Sequence, residues 1–148
     1  MDELSRSAAI RDIQMLKARY FRTMDEKDWA GLESVFTPDL IADFRDATPQ
    51  HQPDMLFRGS APYLAMLTPM LDQVATVHHG HMPEITVEDT DNASGIWAME
   101  DWVWPNAGSP LPFAWLHGWG HYYERYCRVG GAWKIASIRL TRLRVEMG

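Results

Sequence analysis

Apolar residues recur at helical intervals through the opening of the chain. Ile10, Ile13, Leu16, Tyr20 and Met24 form one stripe three and four residues apart, which predicts a long amphipathic helix. Ser5 or Ser7 is the expected cap at its start. The polar run "MDEKD" breaks the stripe. Asp28 then offers an N-cap for a second short helix over Trp29–Phe36, which Pro38 helps to end, so helix predominates through residue 36. "LIADFR" (Leu40–Arg45) reads as a strand, and "DATPQHQPD" as a polar loop. "LFRG" is a short extended piece. Ser60 should cap a third helix, "APYLAMLTPMLDQV", which Pro69 kinks or shortens.

From Ala75 the pattern changes to strands. "ATVHHGHMPEITVE" and "ASGIWAMEDWVW" are separated by the turn residues "DTDN". After the loop "PNAGSPLP", "FAWLHGWGHYYERYCRV" meets "AWKIASIRLTRLRVEM" across Gly130-Gly131, a hairpin turn signal. Helices first and long antiparallel strands afterwards predict an α+β fold, with the helices on one face of a curved sheet. The 148 residues suit a single domain over 1–148.

Composition narrows the functions open to such a domain. The net charge of −6 argues against a nucleic-acid partner, and Arg139, Arg142 and Arg144 form only a local basic cluster. No apolar run is long enough for a membrane helix. The start of the chain is too polar for a signal peptide, and the lone Cys127 fits a reducing cytoplasm, so a cytoplasmic location is expected. Seven Trp and nine Met exceed what one small core needs. They suggest a homo-oligomer contact, a pocket for a bulky apolar ligand, or both. Trp102, Trp104, Trp115 and Trp119 are the candidates for contact between subunits.

The "HHGH" run (His78, His79, Gly80, His81) raises the question of chemistry. On a strand His78 and His79 point to opposite faces, while His79 and His81 share one. No regular strand therefore brings all three to one metal, unless Gly80 makes a bulge. His79, His81 and Glu84 come close to a cupin-like set, but the spacing is one residue short and the helical start does not suit an all-β cupin. Surface or interface positions are the expected fate of His79 and His81. Asp101 follows Trp97 and Met99 at spacing two and shares their strand face. Buried there, it needs a cation, a histidine or a hydroxyl as partner. Both faces of that strand are apolar, so parity alone does not tell which one is inside. Cys127 has no evident activating base and is not expected to act as a nucleophile.

These features together resemble the SnoaL-like branch of the nuclear transport factor 2-like (cystatin-like) superfamily. The resemblance rests on "AAIRDIQMLKARYFRTMDEKDWAGLESVFTPD", "TVHHG" and "GAWKIASIRLTRLRV" and spans nearly the whole chain. It implies a cone-shaped curved antiparallel sheet wrapped around the long N-terminal helix, with a deep pocket between them. The site layout resembles bile acid 7α-dehydratase, scytalone dehydratase and hexachlorocyclohexane dehydrochlorinase, elimination enzymes that need no cofactor. By that resemblance His78 falls on the catalytic histidine and Asp25 on its partner carboxylate. Tyr20 matches the Tyr-x4-Asp spacing, Asp101 the second carboxylate, and Arg142 the active-site arginine, although Arg144 shares its strand face. Tyr20 and Asp25 lie about 140° apart on an ideal helix, so they meet one pocket only near the helix end.

The reading implied is a cofactor-independent lyase of dehydratase type, with no metal. Its substrate would be a fairly large hydrophobic carbonyl compound, a small molecule of steroid-like, polyketide-like or aromatic type. An isomerase or polyketide-cyclase-like enzyme using the same pocket, a non-catalytic ligand-binding or interaction protein, and a metalloenzyme remain the alternatives. The resemblance further implies a homo-oligomer, dimer or trimer, formed through the outer face of the sheet.

Overall fold

A computed structural model describes all residues, Met1–Gly148. Helix α1 spans Glu3–Asp25, α2 Trp29–Glu33 and α3 Ser60–Leu71. The strands are β1 Phe36–Asp43, β2 Leu56–Arg58, β3 Val74–Val87, β4 Asn92–Pro105, β5 Leu116–Val129 and β6 Ala132–Met147. They form one curved, unclosed sheet in the order β2-β1-β6-β5-β4-β3. Its inner face packs against α1 and α3, giving the expected α+β architecture. Every strand pair is antiparallel except β1 with β6, which is parallel.

Local sequence accounts for most of the element boundaries. Helix α1 is capped by Asp2, whose carboxylate accepts the Ser5 N–H at 2.7 Å, rather than by Ser5 or Ser7. A carboxylate is both an acceptor and a charge that suits the helix N-terminus. Asp28 caps α2 as expected, accepting the Gly31 N–H at 3.0 Å. That helix stops at Glu33, however, and Phe36 already begins β1. Pro38 therefore lies in a strand instead of ending a helix. It sits where the β1–β6 ladder shifts register between Phe36 and Ile41, a place where a missing N–H costs little. Gly59, at φ 105°, holds the N-cap position of α3 without a side-chain cap, and Ser60 is the first helical residue. Pro69 falls in the last turn of α3, two residues before its end. The β5–β6 hairpin turns on Gly130 and Gly131 at φ 58° and 81°, values that glycine adopts without a Cβ clash.

The core runs along α1 and the inward positions of the sheet. Ile13, Leu16 and Tyr20 are essentially fully buried, as are Ile135, Ile138 and Tyr126 opposite them. On β4 the inward set is Trp97, Met99 and Asp101, which settles the question of faces. The outward set includes Glu100, Trp102 and Trp104. Trp102 stacks on Trp104 at 5.3 Å and on His117 at 3.6 Å, making an aromatic ladder across the outer face.

Candidate active site

The site forms where the end of α1 meets the middle of β3 and β4. Asp25 is the last residue of α1, and the chain then reverses through Lys27 at φ 60°. That reversal aims the Asp25 carboxylate at β3. One oxygen accepts the His78 backbone N–H at 2.9 Å. The other lies 2.7 Å from His78 Nδ1 and accepts the Thr76 hydroxyl at 2.9 Å. Thr76 and His78 share a strand face at spacing two, so one carboxylate reaches both. A carboxylate only accepts, so the Nδ1–H tautomer fits this contact and leaves Nε2 free. Phe21 stacks against the imidazole, with ring planes 17° apart. Gly80 makes room for that ring, since a Cβ there would stand 2.6 Å from Phe21 Cε2.

The second half of the site crosses the sheet. His78 and Asp101 are direct partners in the β3–β4 register, and Asp101 pairs in turn with Gly118 of β5. Arg142 reaches back from β6 over that glycine. Its guanidinium donates to both Asp101 oxygens, at 2.7 and 3.1 Å, and its Nε–H donates to the Ala47 carbonyl at 2.8 Å. The Arg142 and Asp101 side chains are only 9% and 6% exposed, so neither charge is relieved by water. Asp101 Oδ2 lies 3.9 Å from His78 Nε2, too far for a hydrogen bond.

Gly118 is the condition for this bridge. A Cβ there would run into Arg142 Nη1 and lie 2.8 Å from Asp101 Oδ1. Gly118→Ala is therefore expected to cost roughly 1–3 kcal/mol, as overpacking does, and to displace the guanidinium. Chemical denaturation of the two proteins measures it.

His78, Asp101, Arg142 and Tyr20 all line one cavity of about 540 Å³. Asp25 is not on its wall but stands behind His78, which removes the difficulty of the 140° separation from Tyr20. Tyr63 and Tyr122 line the same cavity, while Met55, Met66, Met70 and Leu67 supply apolar wall. Thr48, Gln50 and Gln52 from the loop after β1, and Leu111 to Phe113, also face it. Methionines adapt to irregular apolar shapes, and the tyrosines bring hydroxyls to a mostly apolar wall.

Electrostatics separates acids from donors. Burial pushes the Asp25 carboxyl up. The His78 side chain, the His78 N–H and the Thr76 hydroxyl outweigh that push and hold it below the usual aspartate range. Burial, then the neighbouring Tyr122 and Tyr63, push the Tyr20 phenol well above its ordinary value. Burial and Asp101 do the same to Tyr122, against a pull from Arg142. Both phenols therefore remain protonated donors at neutral pH. For Asp25 the sign of linkage follows: a depressed carboxyl adds stability above its unfolded value, near 4, and loses it as pH falls below. Urea denaturation from neutral to acid pH is expected to show a smaller acid loss in Asp25→Asn than in the native chain.

The structure thus brings Tyr20, Asp25, His78, Asp101 and Arg142 into one neighbourhood. Arg144 instead pairs with Glu146 at the surface. His79 and His81 lie outside, near Glu100 at 3.6 and 3.4 Å, joined by His117 at 3.2 Å. The acid among these histidines is Glu100, while Glu84 pairs further along β3 with Ile96. No group of three or more His, Cys, Asp or Glu has a geometry suited to holding a metal ion. Sequence reasoning missed Tyr63, Thr76 and Phe21 as site residues and left Tyr122 undecided between the pocket and the outer face of the sheet. Spacing two from His78 could have found Thr76. The parity of Tyr122 with Gly118 and Gly120 could have marked that tyrosine.

A SnoaL-like domain model matches residues 5–139. The chain belongs to the SnoaL-like family. A probable cyclase, FGR4, of Gibberella zeae is 28% identical over 143 residues, which cover 88% of this chain and 89% of that protein. Among solved structures, a scytalone dehydratase candidate from Novosphingobium aromaticivorans superposes with a TM-score of 0.81 at 17% identity, covering 96% of this chain and 89% of that one. The hexachlorocyclohexane dehydrochlorinase LinA-type3 of Novosphingobium barchaimii gives 0.78 at 16%, covering 99% and 94%. At those identities the likeness shows that this SnoaL-like domain shares their fold.

Proposed function

We propose that the protein is a cofactor-independent lyase that eliminates water from a hydrophobic carbonyl compound. The observation that carries the reading is His78, held through Nδ1 by Asp25 at 2.7 Å, with Nε2 on the side of Asp101 and a mostly apolar cavity. Nε2 takes the proton from the carbon next to the carbonyl. The electron pair left behind forms the new C=C bond, and the C–O bond at the adjacent carbon breaks. The leaving oxygen receives its proton from the imidazolium or from Tyr20, which the imidazolium then reprotonates, and departs as water. The step is redox-neutral and balances without a co-reactant.

The remaining groups suit this sequence. Asp25 and Asp101 flank the imidazole and favour its charged form once the proton is captured. Tyr20 donates to the carbonyl or to the leaving hydroxyl. Arg142 balances Asp101 and keeps the wall close to neutral, which favours an uncharged substrate. The dehydratase and dehydrochlorinase names among the structural neighbours support a lyase. The cyclase relative favours a second reading, in which the same base starts an intramolecular ring closure. Mass distinguishes the two. Untargeted mass spectrometry of metabolite extracts, incubated with native protein or with His78→Ala, is expected to find a consumed species whose product is lighter by one water. A product of unchanged mass would favour cyclisation or isomerisation.

The outer sheet face enters the proposal as an oligomer contact. Trp104 is 39% exposed, and Trp102, Trp115 and Trp119 are half-buried beside it, an apolar patch that a monomer leaves wet. Light scattering at micromolar concentration is expected to give a dimer or trimer. A strict monomer contradicts this part.

A further inference from the structure

The chemistry above gives no role to a charge pair buried directly beneath the cavity. Lys17 of α1 and Glu124 of β5 form a salt bridge, and neither side chain has any exposed surface. Lys17 lies one helical turn before Tyr20 and Phe21. Its ammonium stands 3.7 Å from the ring centroids of both Tyr20 and Tyr122, and 4.9 Å from that of Phe21. One carboxylate and two ring faces thus surround its three N–H groups. The other Glu124 oxygen accepts the Tyr126 hydroxyl at 2.5 Å, and the Tyr126 oxygen accepts the Trp97 indole N–H at 2.8 Å.

Stability alone is a weak reason to keep such a pair. Apolar side chains of similar volume commonly serve a core as well or better. What distinguishes this pair is where the ammonium sits. The two rings it touches belong to tyrosines that line the cavity, and Tyr122 also feels Asp101 and Arg142. A cation on the face of a phenol is attracted by its π electrons and draws density from the ring, which makes the O–H a stronger donor. It also fixes the ring plane, and so the direction of the hydroxyl.

We propose that Lys17 is a positioning residue, whose ammonium, anchored by Glu124 beneath the Tyr20 and Tyr122 rings, orients and strengthens their hydroxyls as donors to a substrate oxygen. The use made of those donors rests on the elimination reading, whereas the electrostatic coupling does not. Burial lowers Lys17 to about 8, against the pull of Glu124, so the cation fades as pH rises past that value. The groups facing it are Glu124 and Tyr122 from β5 and Tyr20 and Phe21 from its own helix. Tyr126 and Trp97 lie behind Glu124.

The coupling is tested without substrate. Lys17→Met together with Glu124→Gln removes both charges at similar volume. Carbon-13 signals of Cζ in Tyr20 and Tyr122 are expected to step near pH 8 in the native chain, as Lys17 loses its proton, and to stay flat there in the variant. A step of the same size in the folded variant overturns the proposal. A second measurement uses the unaltered chain, so it does not depend on the variant folding. Nitrogen-15 NMR is expected to show Lys17 as an ammonium at about pH 6, and the ring carbons of Tyr20 and Tyr122 to shift as it deprotonates. A neutral amine at that pH, or rings indifferent to its titration, also overturns it. Neither readout involves turnover, so failure here is distinct from failure of the elimination reading.

Discussion

His78→Ala is expected to lower turnover roughly 10²–10⁴-fold, the usual contribution of a general base. The fold should survive, because the ring lines a cavity and its main bond is to a carboxylate that keeps the Thr76 hydroxyl and the His78 backbone N–H. Asp25→Asn should lose activity to a similar degree by another route. An amide oriented to donate its N–H toward Nδ1 favours the tautomer with the proton on Nε2, and the charge that stabilises the imidazolium is gone. The two losses should not add, since one residue acts through the other. A double variant far slower than either single one would mean that Asp25 acts separately from His78. Steady-state rates of the three variants, with circular dichroism to check folding, decide it.

Arg142→Met is expected to have the largest effect on stability. It strands the Asp101 carboxylate, 6% exposed, without its two guanidinium bonds, and it frees the Ala47 carbonyl. Breaking a buried pair by removing one partner costs about 3–5 kcal/mol, mostly from the orphaned charge. Adding Asp101→Asn should recover much of that loss, because a neutral amide is cheaper to bury than an unpaired carboxylate. Denaturant titration of the single and double variants measures both. A double variant no more stable than Arg142→Met would show that the cost lies in packing or in the Ala47 contact, and not in the stranded charge.

The sequence carried the fold further than it carried the site's supporting contacts. The helical stripe from Ile13 to Met24 and the Gly130-Gly131 turn have strong local causes, and the structure follows them. Pro38 misled because its local meaning as a helix breaker is overridden by a tertiary one, a gap in the β1–β6 ladder. The parallel pairing of β1 with β6 joins residues about a hundred positions apart and leaves no local signature. The faces of β4 were equally apolar in sequence; only the sheet's curvature against α1 put Trp97 and Met99 inside and Trp102 outside.

The five candidate residues came from resemblance and spacing, but what holds them together did not. The role of Gly118 depends on two side chains from neighbouring strands meeting above it. Lys17 sits within the apolar stripe of α1, four residues after Ile13 and three before Tyr20. That position hinted at burial, but its partner Glu124 lies on a strand more than a hundred residues away. A buried charge in a helix stripe asks for a counter-charge without naming it.

The proposed elimination turns on His78 removing a proton from carbon. Once the consumed metabolite is in hand, it can be prepared with deuterium on the carbon next to its carbonyl and turned over by the native chain. Loss of that deuterium in the product and a primary isotope effect on kcat/KM are expected, with neither turnover nor exchange at a comparable rate in His78→Ala. Deuterium retained at that carbon in the product would contradict it.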